Sequence, residues 1–443
     1  MHTIERPLLE SAAGILTGET AGEATGGEAA RQLLSYLGAF DGTGPGNLAS
    51  LVRLASRLPT LFTLPVSRAP GLSFLGATVD ARELGWRASG DGVAGVSGSG
   101  MSFQSAFAAC MGEAAEYLSQ LERGDEEPVR RRADEIDPER LLPNTDALVA
   151  QLEFPSNGTA PAIDWVAGER ALAGSPILVP ADLCLRGREH AAAQSRIPLS
   201  TGCAAGPTTA AASLSAVLEL VERDAAALWW IGGRRGRHVA PESSAGRAFQ
   251  TDLQTLRQGR SDRRTSVLDI TTDLAIPCVV ALSCNADGRD LAFGLAARLD
   301  LDGAVRSALV EMCQGELGNE LIAVKLARGG ETALSERERQ RARRSRELVY
   351  GDCPLLHADG IDGPRHASVP GGDPLTHVLH RLAAAGVEVA FVDLTRLDVG
   401  IPVTKAFAPG LQIPQSPIAG NRLKYTLAEF GGGRGHTDGF ALL

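Results

Sequence analysis

The sequence predicts an α/β protein in which strands and helices alternate, and three observations carry that reading. Apolar, β-branched runs such as SVLDIT, IPCVVALSC and VEVAFVDLT interleave with stretches of helical periodicity such as THVLHRLAAAGVEV. Three Ala- or Leu-rich helices from distant parts of the chain each carry two oxygen-bearing side chains three residues apart. The length, 443 residues, is ample for a large core and by itself suggests two or three domains.

Residues 1–70 open rich in Gly and Ala and then turn helical, with LVRLASRLPTLFTLPV placing apolar residues at helical spacing until its prolines break the pattern. This region reads as a helical cap on the main domain, residues 71–443, or as a docking element for a partner. FLGATVD reads as a first strand. Gly90 to Gly100 contains five glycines, a loop type that brings backbone N–H groups close to phosphate. It is not a Walker-type loop, because GxxxxGK[ST] occurs nowhere in the chain.

The first acidic helix, SFQSAFAACMGEAAEYLS, carries Glu113 and Glu116. The mixed-charge run from Arg123 to Arg140 reads as a solvated connection, and WVAGERALAGSPILVPADLCL as two strands with a turn. Asn157-Gly158-Thr159 fits a glycosylation acceptor, which has no bearing in the compartment inferred below.

Ser200 to Trp230 is the centre of the chain: a Gly-rich turn, a Thr208-Thr209 start signal and a long apolar helix bearing Glu219 and Glu222 on one face. Carboxylates on so apolar a helix need a counter-charge, because an unpaired buried carboxylate costs several kcal/mol or gives up its charge, of the order of 3 kcal/mol or more. Arg223, another basic side chain or a metal ion qualifies. The third helix, AVRSALVEMCQGEL, carries Glu311 and Gln314. If the three helices converge, their oxygens suit Mg²⁺, which keeps some waters and is held together with phosphates. Singly, each pair is more often a solvated face or an intrahelical salt bridge than a site.

Arg234, Arg235 and Arg237 after the central helix either meet phosphate oxygens or pair with surface carboxylates. SERERQRARRSREL reads as a solvated amphipathic helix, with receipt of an acidic peptide as the second reading. His377 and His380 lack a third ligand and read as a surface feature. Lys405, on the strand IPVTKAFAPGL, approaches a phosphate or forms a salt bridge. The tail GGGRGHTDGFALL reads as mobile at first and apolar at its end, able to fold back into a site or an interface.

A formal charge of -10 argues against general nucleic-acid binding. No early stretch has the pattern of a signal peptide and no apolar run is fit to cross a bilayer, which points to the cytoplasm. Seven cysteines lie scattered without zinc spacing and read as small buried hydrophobes. Cys203, in the central turn, is the one worth testing for function, against a favoured core reading.

These segments resemble the YcaO family of ATP-dependent enzymes that activate peptide backbone amides. SxGxAAGxT followed by ExxERD and WW resembles its central signature, FQSAFAACMGEAAEYLS its first acidic helix, AVRSALVEMCQGEL its third, and VDLTRLDVGIPVTKAFAPGLQ its late strand and PGL segment. The resemblance runs in family order over roughly residues 70 to 415. It departs where the family often has GKG and this chain has Gly98-Ser99-Gly100, a serine at Ala109, an Asn at Thr201, and a PxPxP tail.

The resemblance implies a YcaO-type fold with three acidic helices around a Mg²⁺-ATP site, residues 71–443 being the catalytic domain. It implies Glu113, Glu116, Glu219, Glu222 and Glu311 as Mg²⁺ ligands, with Ser99, Thr201, Arg223, Gln314 and Lys405 on the nucleotide side and the catalytic base unassigned. It implies a cyclodehydratase that phosphorylates a backbone amide oxygen of a ribosomally made precursor peptide, forming thiazoline or oxazoline rings from Cys, Ser or Thr. Thioamide formation with an external sulfur source is the alternative within the family, and an inactive scaffold the alternative of another class. The expected partners are the precursor peptide and a separate E1-like or leader-binding protein, with a flavin dehydrogenase in the same complex and a homodimer both compatible; nucleic acid and membrane are not expected.

Overall fold

The computed structural model describes residues 1–18, 27–86, 92–154, 161–188, 191, 193–360 and 372–442. The Asn157-Gly158-Thr159 acceptor and Gly90 lie outside the described residues. The chain divides into two compact units: unit 1 is Met1–Pro65, Ser73–Val217 and Glu388–Pro409, and unit 2 is Val66–Leu72, Leu218–Val387 and Gly410–Leu443.

Unit 1 begins with β1 (His2–Thr3), α1 (Arg6–Thr17), α2 (Gly27–Tyr36) and α3 (Leu48–Arg57). The helical pattern expected through LVRLASRLPTLFTLPV stops at Arg57, and TLFT becomes β2 (Thr60–Thr63), because its β-branched and aromatic residues pair with β3 (Ser73–Asp80). FLGATVD is thus a strand, but two short strands precede it. The glycine-rich stretch is also a strand where it is described, β4 (Val93–Gly100), antiparallel to β3 with Leu75 opposite Gly98. Its glycines serve packing: a Cβ on Gly98 would lie 2.1 Å from the Cys110 nitrogen and 2.5 Å from the Ala106 carbonyl oxygen. That close approach lets α4 (Phe103–Ser119), capped by Ser102 accepting from the Ser105 N–H, lie directly on β4.

The connection after α4 is mostly exposed and holds β5 (Val129–Arg131). There follow α5 (Thr145–Val149), β6 (Leu152–Glu153), the expected antiparallel pair β7 (Ile163–Arg170) and β8 (Pro176–Pro180), then β9 (Gln194–Ser195) and β10 (Cys203–Ala205). The Thr208 hydroxyl accepts from the Ala211 N–H and opens α6 (Thr209–Trp230), of which residues up to Val217 belong to unit 1 and the rest to unit 2.

Unit 2 continues with β11 (Arg237–His238), α7 (Ser244–Arg257), β12 (Arg264–Asp269), β13 (Cys278–Cys284) and β14 (Ala292–Ala297), the four strands forming an antiparallel sheet in chain order. Asp300 caps α8 (Leu301–Gly329), which lies so close on β14 that a Cβ on Gly294 would meet the Ala308 carbonyl oxygen at 2.3 Å. After α9 (Glu336–Glu347) and α10 (Pro374–Ala384), the chain supplies unit 1 with β15 (Ala390–Asp393) and β16 (Val403–Phe407). They enter the middle of a sheet ordered β10-β16-β15-β7-β5, with β8 beside β7. The core of unit 1 includes Leu34, Phe107, Met111, Trp165 and Ile401.

The last helix is α11 (Asn421–Phe430), and the tail beyond it folds back within unit 2: the Trp230 indole donates to the Phe440 carbonyl at 2.7 Å, and Leu442 is buried. α9 is solvated on one side only. Arg339 and Arg343 pair with Glu336 and Glu347, but Arg344 is buried because backbone carbonyls accept its N–H groups. All seven cysteines are buried, and burial pushes the thiols of Cys110, Cys184 and Cys313 up to about 12.

Candidate functional site

In unit 2, α6 presents Glu219 and Glu222 one turn apart, and Arg223 lies between them. Its Nη2 donates to Glu219 Oε1 at 3.1 Å and its Nη1 lies 3.3 Å from Glu222 Oε1. Of the counter-charges left open by the sequence, Arg223 is therefore one that is present. Burial works against its charge, but Glu222, Glu219 and Glu311 outweigh that and hold its pKa above the ordinary value. Its Nη1 nonetheless has no hydrogen-bond partner although buried.

Glu311 projects from α8 and accepts the Leu295 N–H of β14 at 3.0 Å. Burial, and then the charge of Glu222, raise its pKa to about 8, with Arg223 and Arg298 opposing. Burial first and the Glu222 charge second thus favour the neutral form of Glu311, and a divalent cation beside the two carboxylates would offset the same repulsion. The donors are all carboxylate oxygens, the ligand type Mg²⁺ prefers. Among the described residues no three His, Cys, Asp or Glu side chains are gathered closely enough to hold a metal by themselves. This suits Mg²⁺, which takes one or two protein carboxylates and fills its shell with water and phosphate oxygens. Gln314 stands half-buried on α8, one turn from Glu311.

The other expected residues belong to unit 1. Glu113 is exposed on α4, and Glu116, half-buried, accepts the Ala205 N–H of β10 at 2.8 Å. Ser99 is half-buried on β4 opposite Phe74. Thr201 is buried in the turn before β10, and Lys405 of β16 is buried beneath that turn, donating to the carbonyls of Leu199 and Thr201 at 2.7 and 2.6 Å. Lys405 thus shapes the central turn by charge-assisted hydrogen bonds. In unit 2, Arg234 and Arg235 donate to the carbonyls of Thr271, His357 and Ala358, and Arg235 lies 3.6 Å from Asp359.

Sequence reasoning missed the clamp beneath Glu222 and Arg223. Asp224 is fully buried; its Oδ1 accepts the Gln412 N–H at 2.9 Å and both its oxygens accept from Arg422 Nε at 3.0 Å. Arg422 also donates to Asp273, its Nη2 reaching Asp273 Oδ1 at 2.6 Å. Burial raises the Asp224 pKa while Arg422 opposes, so the clamp ties the central helix to the segment after residue 410 through one buried charge pair. The signal available was an Asp directly after Arg223 on an apolar helix.

Carboxylates and an arginine on two long helices, α8 of them laid against an antiparallel sheet, mark an α/β protein with a cluster of oxygen donors of the type that Mg²⁺ prefers. Residues 97–412 match the family model described as YcaO cyclodehydratase, ATP- and Mg²⁺-binding, and the chain belongs to the YcaO family. ATP and Mg²⁺ are the cofactors of that family. A curated relative from Rhizobium leguminosarum bv. trifolii, an uncharacterized protein in the tfuA 3′ region, is 30% identical over 270 residues, covering 57% of this chain and 61% of its own. A heterocyclase solved in complex with substrate and cofactor aligns with a TM-score of 0.66 at 24% identity, covering 85% of this chain and 52% of that one. YcaO from Methanopyrus kandleri bound with AMPPCP and Mg²⁺ aligns with a TM-score of 0.55 at 19% identity, covering 82% and 90%. The two structures share the fold with this chain. The chain spans less than two thirds of the length of the curated relative and about half that of the heterocyclase. Among the described residues, no helix is long and apolar enough to cross a membrane.

Proposed function

We propose that this protein is an ATP-dependent enzyme that activates a backbone amide of a ribosomally made precursor peptide and forms thiazoline or oxazoline rings from Cys, Ser or Thr. The observation that carries the reading is the cluster of Glu219, Glu222, Arg223 and Glu311, in which Arg223 lies between two carboxylates and burial and the Glu222 charge push the Glu311 pKa up. Mg²⁺-ATP, when bound, supplies the phosphoryl group that turns the amide oxygen into a leaving group after the substrate side chain has attacked the carbonyl carbon. Glu219, Glu222 and Glu311 would hold Mg²⁺ one or two to an ion, with water and phosphate oxygens completing each shell. Arg223, fixed between two carboxylates, is pre-oriented to face phosphate oxygens, and Gln314 adds an amide one turn from Glu311. Lys405 holds the turn that carries Thr201. The peptide is delivered by a separate E1-like or leader-binding protein, with room for a flavin dehydrogenase that oxidises the rings; the setting is the cytoplasm.

Calorimetry of ATP binding, with and without Mg²⁺, tests this on the wild type and on the Glu219→Gln, Glu222→Gln pair. Binding that needs Mg²⁺ and is lost in the pair is expected. A folded wild type that binds no nucleotide would instead mark an inactive scaffold. The same measurement on Glu113→Gln, Glu116→Gln reports whether the unit 1 pair contributes. Mass spectrometry of the peptide separates loss of water, the azoline outcome, from exchange of oxygen for sulfur, the thioamide outcome.

A further inference from the structure

Among the described residues the inward-facing arginines of α9 form no direct ion pair with Asp or Glu, and the charges of Asp290 and Glu311 reach Arg341 only from a distance. Arg337, Arg341 and Arg344 follow one another at spacings of four and three and so share a helix face. Among the described residues none of the three forms an ion pair with Asp or Glu, while Arg339 and Arg343 beside them do. Arg344 is 9% exposed; its Nη1 donates to the Ala441 carbonyl at 2.6 Å and to that of Leu442, its guanidinium lies 4.6 Å from the Phe293 ring centre, and its Nε is buried with no hydrogen-bond partner.

Arg341 donates to the Gly315 carbonyl at 2.5 Å and to Asn319 Oδ1 at 2.8 Å. It lies where α8 offers bare backbone: a Cβ on Gly318 would come within 2.9 Å of its Nη2. Carbonyls and a ring satisfy individual N–H groups but bring no net negative charge. Burial, with the charges of Arg341 and Arg337, accordingly lowers the Arg344 pKa to about 9. Arg337 at the exposed end, Arg341 half-buried and Arg344 beneath form a graded run of positive charge from surface to interior.

We propose that this face of unit 2 binds a phosphate-type oxyanion, held by Arg341 and Arg344 with Arg337 at the entrance. A multiply charged, tetrahedral anion matches guanidinium groups that donate in pairs, and it supplies the counter-charge that Arg344 lacks, since Asp290 and Glu311 act on Arg341 alone of the two. The inference needs none of the chemistry proposed above. The occupant is either free inorganic phosphate or the phosphoryl end of a nucleotide.

Titration of inorganic phosphate into the full chain at constant ionic strength, followed by calorimetry or ³¹P line broadening, tests it. Wild type is expected to bind, and Arg341→Gln, Arg344→Gln to bind about tenfold or more weakly. Arg337→Gln, an exposed change that leaves the buried contacts intact, is expected to weaken binding about threefold. Wild type that binds no phosphate, or binding unchanged in both variants, overturns the proposal. Repeating the titration with Mg²⁺ and AMPPCP present distinguishes the sources: phosphate that still binds marks a free-phosphate site, and phosphate displaced marks the nucleotide's phosphoryl end.

Discussion

Glu311 carries the strongest conflict between charge and burial among the proposed metal ligands. With its pKa raised to about 8, the neutral carboxyl favours the fold; that contribution is fully present below its ordinary pKa of 4.5 and is lost as pH rises through about 8. Glu311→Gln keeps the shape without the charge. Thermal melts of the nucleotide-free protein should show the variant close to wild type at about pH 5 and exceeding it at about pH 9, by about 5 kcal/mol. Equal stability of the two at the higher pH would mean that Glu311 is not crowded. The spacing of Glu219, Glu222 and Glu311 was legible in the sequence. The burial of Arg344 was not, because its acceptors are backbone carbonyls at residues 441 and 442, far along the chain and without a side-chain signature.

At the scale of elements, the glycine stretch that reads as a phosphate loop is the seam between β4 and α4. Gly98→Ala would drive a methyl into the backbone of α4 at Cys110 and Ala106, atoms that cannot swing aside as a side chain can. A loss of about 3 kcal/mol is expected in denaturant melts. Loss within about 0.5 kcal/mol would return the stretch to the status of an accommodating loop. β13 and β14 were readable because each is a continuous, largely apolar run bounded by turn residues, as in β13, whose seven residues are all buried, whereas β11 is only Arg237–His238 and carries no strand pattern. β2 was hidden because the helical period of α3 runs on into it, and only its pairing with β3 decides its state.

At the scale of the whole molecule, alternation of strands and helices and the family were legible, but the division into units was not. Periodicity reports local structure, whereas β15 and β16 join β7 and β10 across almost two hundred intervening residues, a count set by Ala205 and Val403 being paired. A fragment ending at Val387 lacks β15 and β16, two of the three inner strands of that sheet, and leaves β10 without its partner. It should unfold without a cooperative transition and bind a hydrophobic dye, whereas the full chain should melt cooperatively. A cooperative, dye-free fragment would show that unit 1 does not depend on the returning strands.

The same insertion bears on how the protein is made. β10 leaves the ribosome long before the strand it pairs with, and at cellular rates of roughly 5–20 residues per second the wait is roughly 10–40 s. For that interval an unpaired strand edge and the apolar faces of β7 and β8 are exposed to any protein that binds nascent chains. Translation speed through the inserted segment therefore becomes a determinant of yield, separate from the stability of the finished fold.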